Sequence, residues 1–268
     1  MEKFDAIQEN LLEAVAGFHQ IPTGAYNIRA NGATAARNST EHIEIIPKED
    51  GTGIDIWIKP GTKKESLHMP VILSQAGIKE VVYNDFHIGE DADVTIIAGC
   101  GIHNGGDASS QHEENGYMEM DTAQIKGVDS TIRKTEAKVA AGAKLVVMER
   151  LMTHGTQRAE SYFKVEMNGE DAGTNIVSRS VAKDESYQLF SSNIEGNAKC
   201  SGHTECDAII VGNARISAVP EITANDSDAA LIHEAAIGKI AGEQIIKLMT
   251  LGLTEEEAEE QIISGFLK

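Results

Sequence analysis

A chain of 268 residues with 42 acidic against 23 basic side chains and a formal charge of −19 can bury a full core, in one large domain or one domain with small appendages, without staples. The charge is spread along the chain rather than packed into a tail, which argues against nucleic acid and anionic membrane as partners, and 4% aromatic residues leave little to stack on bases or sugars. Three cysteines, Cys100, Cys200 and Cys206, are too few and too odd in number for a disulfide framework, no leader pattern opens the chain, and no run of about 18 apolar residues is present; the expectation is a cytoplasmic protein with free thiols.

Residues 3–19 place Phe4, Ile7, Leu11, Leu12, Val15 and Phe18 at three- and four-residue spacings, which predicts an amphipathic helix ended by Pro22 and Gly24. We take 1–22 as an N-terminal helical segment. From there to about residue 225, short β-favouring runs recur: HIEIIP, IDIWI, VTIIAG, KLVVME, TNIVSRSV, YQLFSSN, DAIIVG and ARISAV, each closed by Gly, Asn, Asp or a charge. Three places (88–94, 139–145 and 211–216) share an apolar residue, a Gly-containing turn, a small Ala, a polar residue and a second apolar residue. Small corners and inward aliphatics suit a parallel β-helix. The separations between the three places are unequal and fit no single repeat, so a β-sandwich or cupin-like barrel stays open on pattern alone.

Near the C-terminus, Ile237, Ile240, Ile245, Leu248 and Met249 form a helical stripe that stops at Gly252, the natural residue for a C-terminal cap. Thr254 and Glu257 then have the spacing of a capping box, opening a second helix over 254–266 whose early acids complement the helix dipole. The division expected is 1–22, a β core over 23–232, and a helical segment over 233–268, with His233 and Glu234 at the junction.

Two groups of residues could carry chemistry. In CGIHNGGDASSQHEENG, residues 100–116, Cys100, His103 and His112 could bring a thiolate and two imidazoles together across a Gly-rich loop; the plainer reading is a polar connection with solvated histidines. Gly105-Gly106 is followed by no Walker pattern, so no nucleotide is expected on this chain. The second group is Cys200, His203, Cys206, His233 and Glu234. Its Cys-x-x-His-x-x-Cys spacing lacks the second pair of a closed zinc site, leaving a site shared between chains or one with open positions; equally, Cys206 could be a small core residue in a strand. No G-x-S-x-G nucleophile elbow is present. Carboxylate pairs for a β-helix lyase or hydrolase could be drawn from many acids, which makes that reading cheap.

The stretch from Glu205 to Phe266, with Cys206-Asp207 opening a strand, Pro220-Glu221, His233-Glu234-Ala235, Gly238-Lys239-Ile240, Glu243-Gln244 leading to Gly252, and Glu256-Glu257-Ala258 leading to Gly265-Phe266, resembles the end of the SufB/SufD family of iron–sulfur cluster assembly proteins. The middle, VVYNDFHIGEDADVTIIAGCGIHNGG, is similar to short members of the family. The resemblance implies a right-handed parallel β-helix with C-terminal helices that bind a SufC-type ABC ATPase, and self-association through the β-helix. It implies a non-catalytic scaffold on which a transient cluster, 4Fe-4S or 2Fe-2S, is built, with ATP hydrolysis in the partner. His233 and Glu234 fall at the family's His-Glu positions. The family's key cysteine falls at Ala214, and Leu231 also lacks a nearby thiol. The sulfur ligands must then come from Cys100, in its loop with His103, or from Cys206. The chain's length suggests a minimal homodimer replacing a SufB–SufD pair; an adaptor that holds no cluster is the remaining alternative.

Overall fold

In the computed structural model, residues 23–72, 82–101, 106–124 and 129–268 are described; the expected N-terminal helix lies outside them. The described chain is a parallel β-solenoid of about six turns, which settles the choice against a sandwich or barrel. Two sheets face each other, and from Tyr83 on successive strands alternate between them. One sheet, A, holds β1 (Ala25–Ala30), β2 (Ala33–Asn38), β5 (Glu65–His68), β6 (Val71–Ile72), β8 (Asp93–Gly101), β10 (Tyr117–Gln124), β12 (Lys144–Thr153), β14 (Gly173–Ala182), β16 (Ser201–Ile210) and β18 (Ala230–Gly238). The other, B, holds β3 (Ile43–Pro47), β4 (Gly53–Ile58), β7 (Tyr83–Ile88), β9 (Gly106–His112), β11 (Ser130–Val139), β13 (Arg158–Met167), β15 (Tyr187–Gly196) and β17 (Arg215–Ala224).

Lys144, Gly173, Ser201 and Ala230 stand in one register column, so the later turns are nearly equal in length. Ile88, His112 and Val139 share a column in sheet B, so the interval between the first two corner motifs is made of two turns, each shorter than the later ones. The third motif, 211–216, lies on the opposite edge, between β16 and β17. That is why no single period shows in the sequence.

The corners explain the small residues. Asp91, Asn115, Gly142 and Asp171 have φ of 53°, 55°, 66° and 58°, a left-handed backbone that Gly, Asn and Asp tolerate best. The residues that follow, Ala92, Gly116, Ala143 and Ala172, donate their N–H to the carbonyl three residues back. Ala92, Ala143 and Ala172 are buried where sheet A begins. Asn168, Asn197 and Asn225 stack along the same edge, each side-chain amide donating to the one before it at 2.8 and 2.7 Å.

Along the strands, alternate residues point between the sheets. One inward column of sheet A reads Ile96, Met120, Val147, Ile176, Thr204 and His233; its neighbour reads Ala98, Thr122, Glu149, Ser178, Cys206 and Ala235. The first column is thus aliphatic through the early turns and polar in its last two, whereas the second is polar in its middle turns.

Two helices follow, α1 (Gly242–Met249) and α2 (Glu255–Phe266). Between them Gly252 has φ +100°. The capping box is present: Thr254 Oγ1 accepts from the Glu257 N–H at 3.2 Å and Glu257 Oε2 from the Thr254 N–H at 2.8 Å. Ile263 and Leu267, from the end of α2 and its cap, pack on Val181, with Met152, Ile209 and Ile240 around them. Lys183 pairs with Glu259 at 2.7 Å. The boundary expected at 232/233 falls inside a strand: β18 runs to Gly238, so Ile237 belongs to the sheet and not to the helical stripe.

Candidate functional site at the last turn

Strand alternation divides the ligand-rich residues between two faces. On β16, Gly202, Thr204, Cys206 and Ala208 are buried inward while His203, Glu205 and Asp207 lie between them on the outer face. On β18, the register Thr204 to His233 and Glu205 to Glu234 turns His233 inward and Glu234 outward. The Cys-x-x-His-x-x-Cys motif therefore does not converge. Its histidine faces the opposite way from Cys206, because an interval of three residues in a strand changes face.

The inner face holds His233, at the head of a column that begins with four apolar side chains. Its Nδ1 lies 2.6 Å from Thr204 Oγ1, and its Nε2 is buried with no hydrogen-bond partner among the described residues. Burial, and then the neighbouring His203 charge, push its pKa below the usual imidazole value, which favours the neutral ring with a lone pair available. One column across, Cys206 is 1% exposed, and burial, with the Glu149 and Asp207 charges, pushes its thiol up to about 12. A thiol so placed is a poor nucleophile and a poor ligand unless a cation draws off its proton. In the same column, Glu149 is buried and accepts from Arg133 Nη1 at 3.0 Å, Ser161 Oγ at 2.7 Å and Ser178 Oγ at 2.9 Å. Arg133 also donates to Thr122 at 3.1 Å.

Cys200 fills the corner position that Ala143 and Ala172 hold in earlier turns, and burial raises its pKa. It is a small packing residue here, as its neighbours in the column are. Ala214, where the resemblance alone would put a cysteine, is buried in the opposite corner of the last turn.

In the segment 100–116, read either as a metal-binding loop or as a polar connection, the described residues are mostly strand. The Cys100 backbone lies on β8 in sheet A, beside Val71, and His112 ends β9 in sheet B, beside Ile88 and Val139. His103 lies outside the described residues. In sheet A, β8 and β18 are separated by β10, β12, β14 and β16, five strand spacings or about 24 Å. Within one chain, Cys100 therefore does not join His233 or Glu234.

Against this geometry, the family model described as SUF system FeS cluster assembly, SufBD core domain, matches residues 87–266. The chain belongs to the SufBD family. Its relatives carry the name iron–sulfur cluster assembly SufBD family protein: one from Methanocaldococcus jannaschii is 32% identical over 191 residues, 69% of this chain and 57% of that protein. One from Archaeoglobus fulgidus is 27% identical over 87% of this chain and 72% of its own length. One from Pyrococcus horikoshii is 29% identical over 86% and 82%. The chain spans little more than half of the Methanocaldococcus relative, and the match to a Methanothermobacter thermautotrophicus relative covers 26% of that protein.

Sequence reasoning did not single out Thr204, Glu205, Glu149 or Asn175, the last of which stands beside His203 on β14. The signal was present for three of them, since Asn175, Thr204 and Glu205 each stand one turn from a residue already singled out. It could be used only once the turn length was known.

Proposed function

We propose that this chain is a scaffold subunit for iron–sulfur cluster assembly and transfer, working with a SufC-type ABC ATPase and not itself catalytic. The observation that carries the reading is His233, an imidazole whose buried Nε2 has no partner among the described residues, on the last strand of a SufBD core. A neutral imidazole at that place can accept a metal ion of an incoming cluster without first losing a proton. Cys206 is the nearest inward thiol, and it becomes a ligand only as metal displaces its proton. The cluster is cargo, bound transiently, as 4Fe-4S or 2Fe-2S.

The helices support the docking half of the proposal. No residue of α1 is buried, and Ile246, Met249 and Leu251 are 61%, 44% and 76% exposed. In contrast, α2 spends its apolar side chains on the solenoid. An ATPase that covered α1 would bury side chains that nothing among the described residues covers, and movement of the helices could pass to β18 through Lys239, Ile240 and Ala241.

Anaerobic reconstitution with iron and sulfide tests the scaffold. The expected result is a visible-absorbing species in the parent that is lost in His233→Ala and Cys206→Ala but retained in Cys100→Ala. Ile246→Asp should abolish capture of the ATPase and leave reconstitution intact. Parent protein that never holds iron yet captures the ATPase would establish the adaptor reading, for which the burial of Cys200 and Cys206 speaks.

A further inference from the structure

The outer face of the last two strands of sheet A carries a second group of donors, separate from His233. His203 and Glu205 lie two residues apart on β16 and share that face, and Glu234 stands beside Glu205 on β18. One ligand atom from each of the three falls within 4.8 Å of the others. His203 Nε2 is 3.4 Å from Glu234 Oε2. Its other ring nitrogen, Nδ1, is 3.0 Å from Oδ1 of Asn175 on β14, one turn below.

We infer that His203, Glu205 and Glu234 form a labile site for a divalent cation. Donation of Nδ1–H to the Asn175 carbonyl fixes the ring and leaves the Nε2 lone pair facing the carboxylates, which is how metal-ligating histidines are commonly oriented. One imidazole and two carboxylates suit Fe(II), Mn(II) or Zn(II) over thiophilic ions. Three protein donors on an open face leave coordination positions for water, so the ion exchanges freely rather than being locked in place. The arrangement needs three successive turns of the solenoid, and the matched turn lengths that put Asn175, His203 and Ile232 in one register column are what bring it into line. Because His233 and Glu234 are consecutive but face opposite ways, an ion held outside sits next to the inner imidazole across one strand. Naming divalent iron as the physiological ion, on its way to that inner face, rests on the scaffold reading above; the cation site itself does not.

The test is Mn(II) binding to the full chain, followed by electron paramagnetic resonance and calorimetry at neutral pH without iron or sulfide. One saturable site is expected in the parent. Affinity should fall at least about tenfold in His203→Asn and in Glu205→Gln, and about tenfold in Asn175→Ala, whose side chain only orients the ring. Thermal midpoints should stay near the parent's, since His203 and Glu205 lie on the outer face. His233→Ala should keep Mn(II) affinity while losing the reconstituted cluster, which separates failure of this site from failure of the scaffold reading. Absence of saturable Mn(II) binding in the parent, or equal affinity in the parent, His203→Asn and Glu205→Gln, would show that His203 and Glu234 form an ordinary imidazole–carboxylate pair beside Glu205 and no cation site.

Discussion

Glu149 is the residue whose burial most needs an explanation. At 2% exposure a carboxylate inside a solenoid is unfavourable unless every oxygen is satisfied. Here Oε1 accepts from Arg133 and Ser161 and Oε2 from Ser178, from both sheets, so the side chain pins sheet A to sheet B. Truncation would leave the Arg133 charge and two hydroxyls without their acceptor. Glu149→Ala is therefore expected to lower unfolding free energy by about 3–5 kcal/mol, the usual cost of removing one member of a buried pair. Glu149→Gln keeps the shape and one of the two acceptor oxygens and should cost less, while adding Arg133→Met to Glu149→Ala should recover part of the loss. Denaturant midpoints across the four proteins check this; equal midpoints for Glu149→Ala and the parent would show that the pair contributes nothing net.

At the scale of strands and corners, the β-runs and the capped last helix were legible because each depends on neighbours in sequence. Alternation in KLVVME and the Thr254–Glu257 box are local signals. What was not legible was which face each residue would take and which turn would stack on which, because that depends on a register set by corner length, and the turns through Ile88 and His112 are shorter than those through Lys144 and Gly173. His203 and Cys206 looked like partners for this reason and lie on opposite faces. The corners that set the register tolerate little added bulk. At Gly169, an added Cβ would come within 2.1 Å of the Ala141 nitrogen and 2.4 Å of its Cα, backbone atoms of the preceding corner that cannot swing aside. Gly169→Ala should therefore destabilise the fold by about 1–3 kcal/mol through overpacking. Gly173→Ala, where the nearest atom to an added Cβ is Lys144 Cγ at 3.5 Å, should cost under half of that. Comparable thermal midpoints for the two variants would mean the corner relaxes freely.

The whole molecule has unlike ends. At the early end, β2 pairs antiparallel with β1 and β3 with β4, so hairpins terminate both sheets. At the late end, among the described residues, β17 and β18 are hydrogen-bonded on one side only, and Val219, Ile222, Ile232 and Ile237 are 50%, 42%, 56% and 40% exposed. An open edge with apolar side chains is a template for pairing with another chain. Two copies of this chain joined there would bring the two His233 rings, on β18, to one interface. Light scattering at micromolar concentration should then give twice the 28.8 kDa chain mass, falling to the monomer in Ile222→Lys with Ile232→Lys, and unchanged in Ile246→Asp. The salt dependence carries its own sign. Each copy bears a formal −19, so screening the repulsion should tighten an apolar edge-to-edge dimer as salt rises, whereas an interface held by ion pairs would loosen. A dimer that dissociates with added salt would place the contact elsewhere on the molecule.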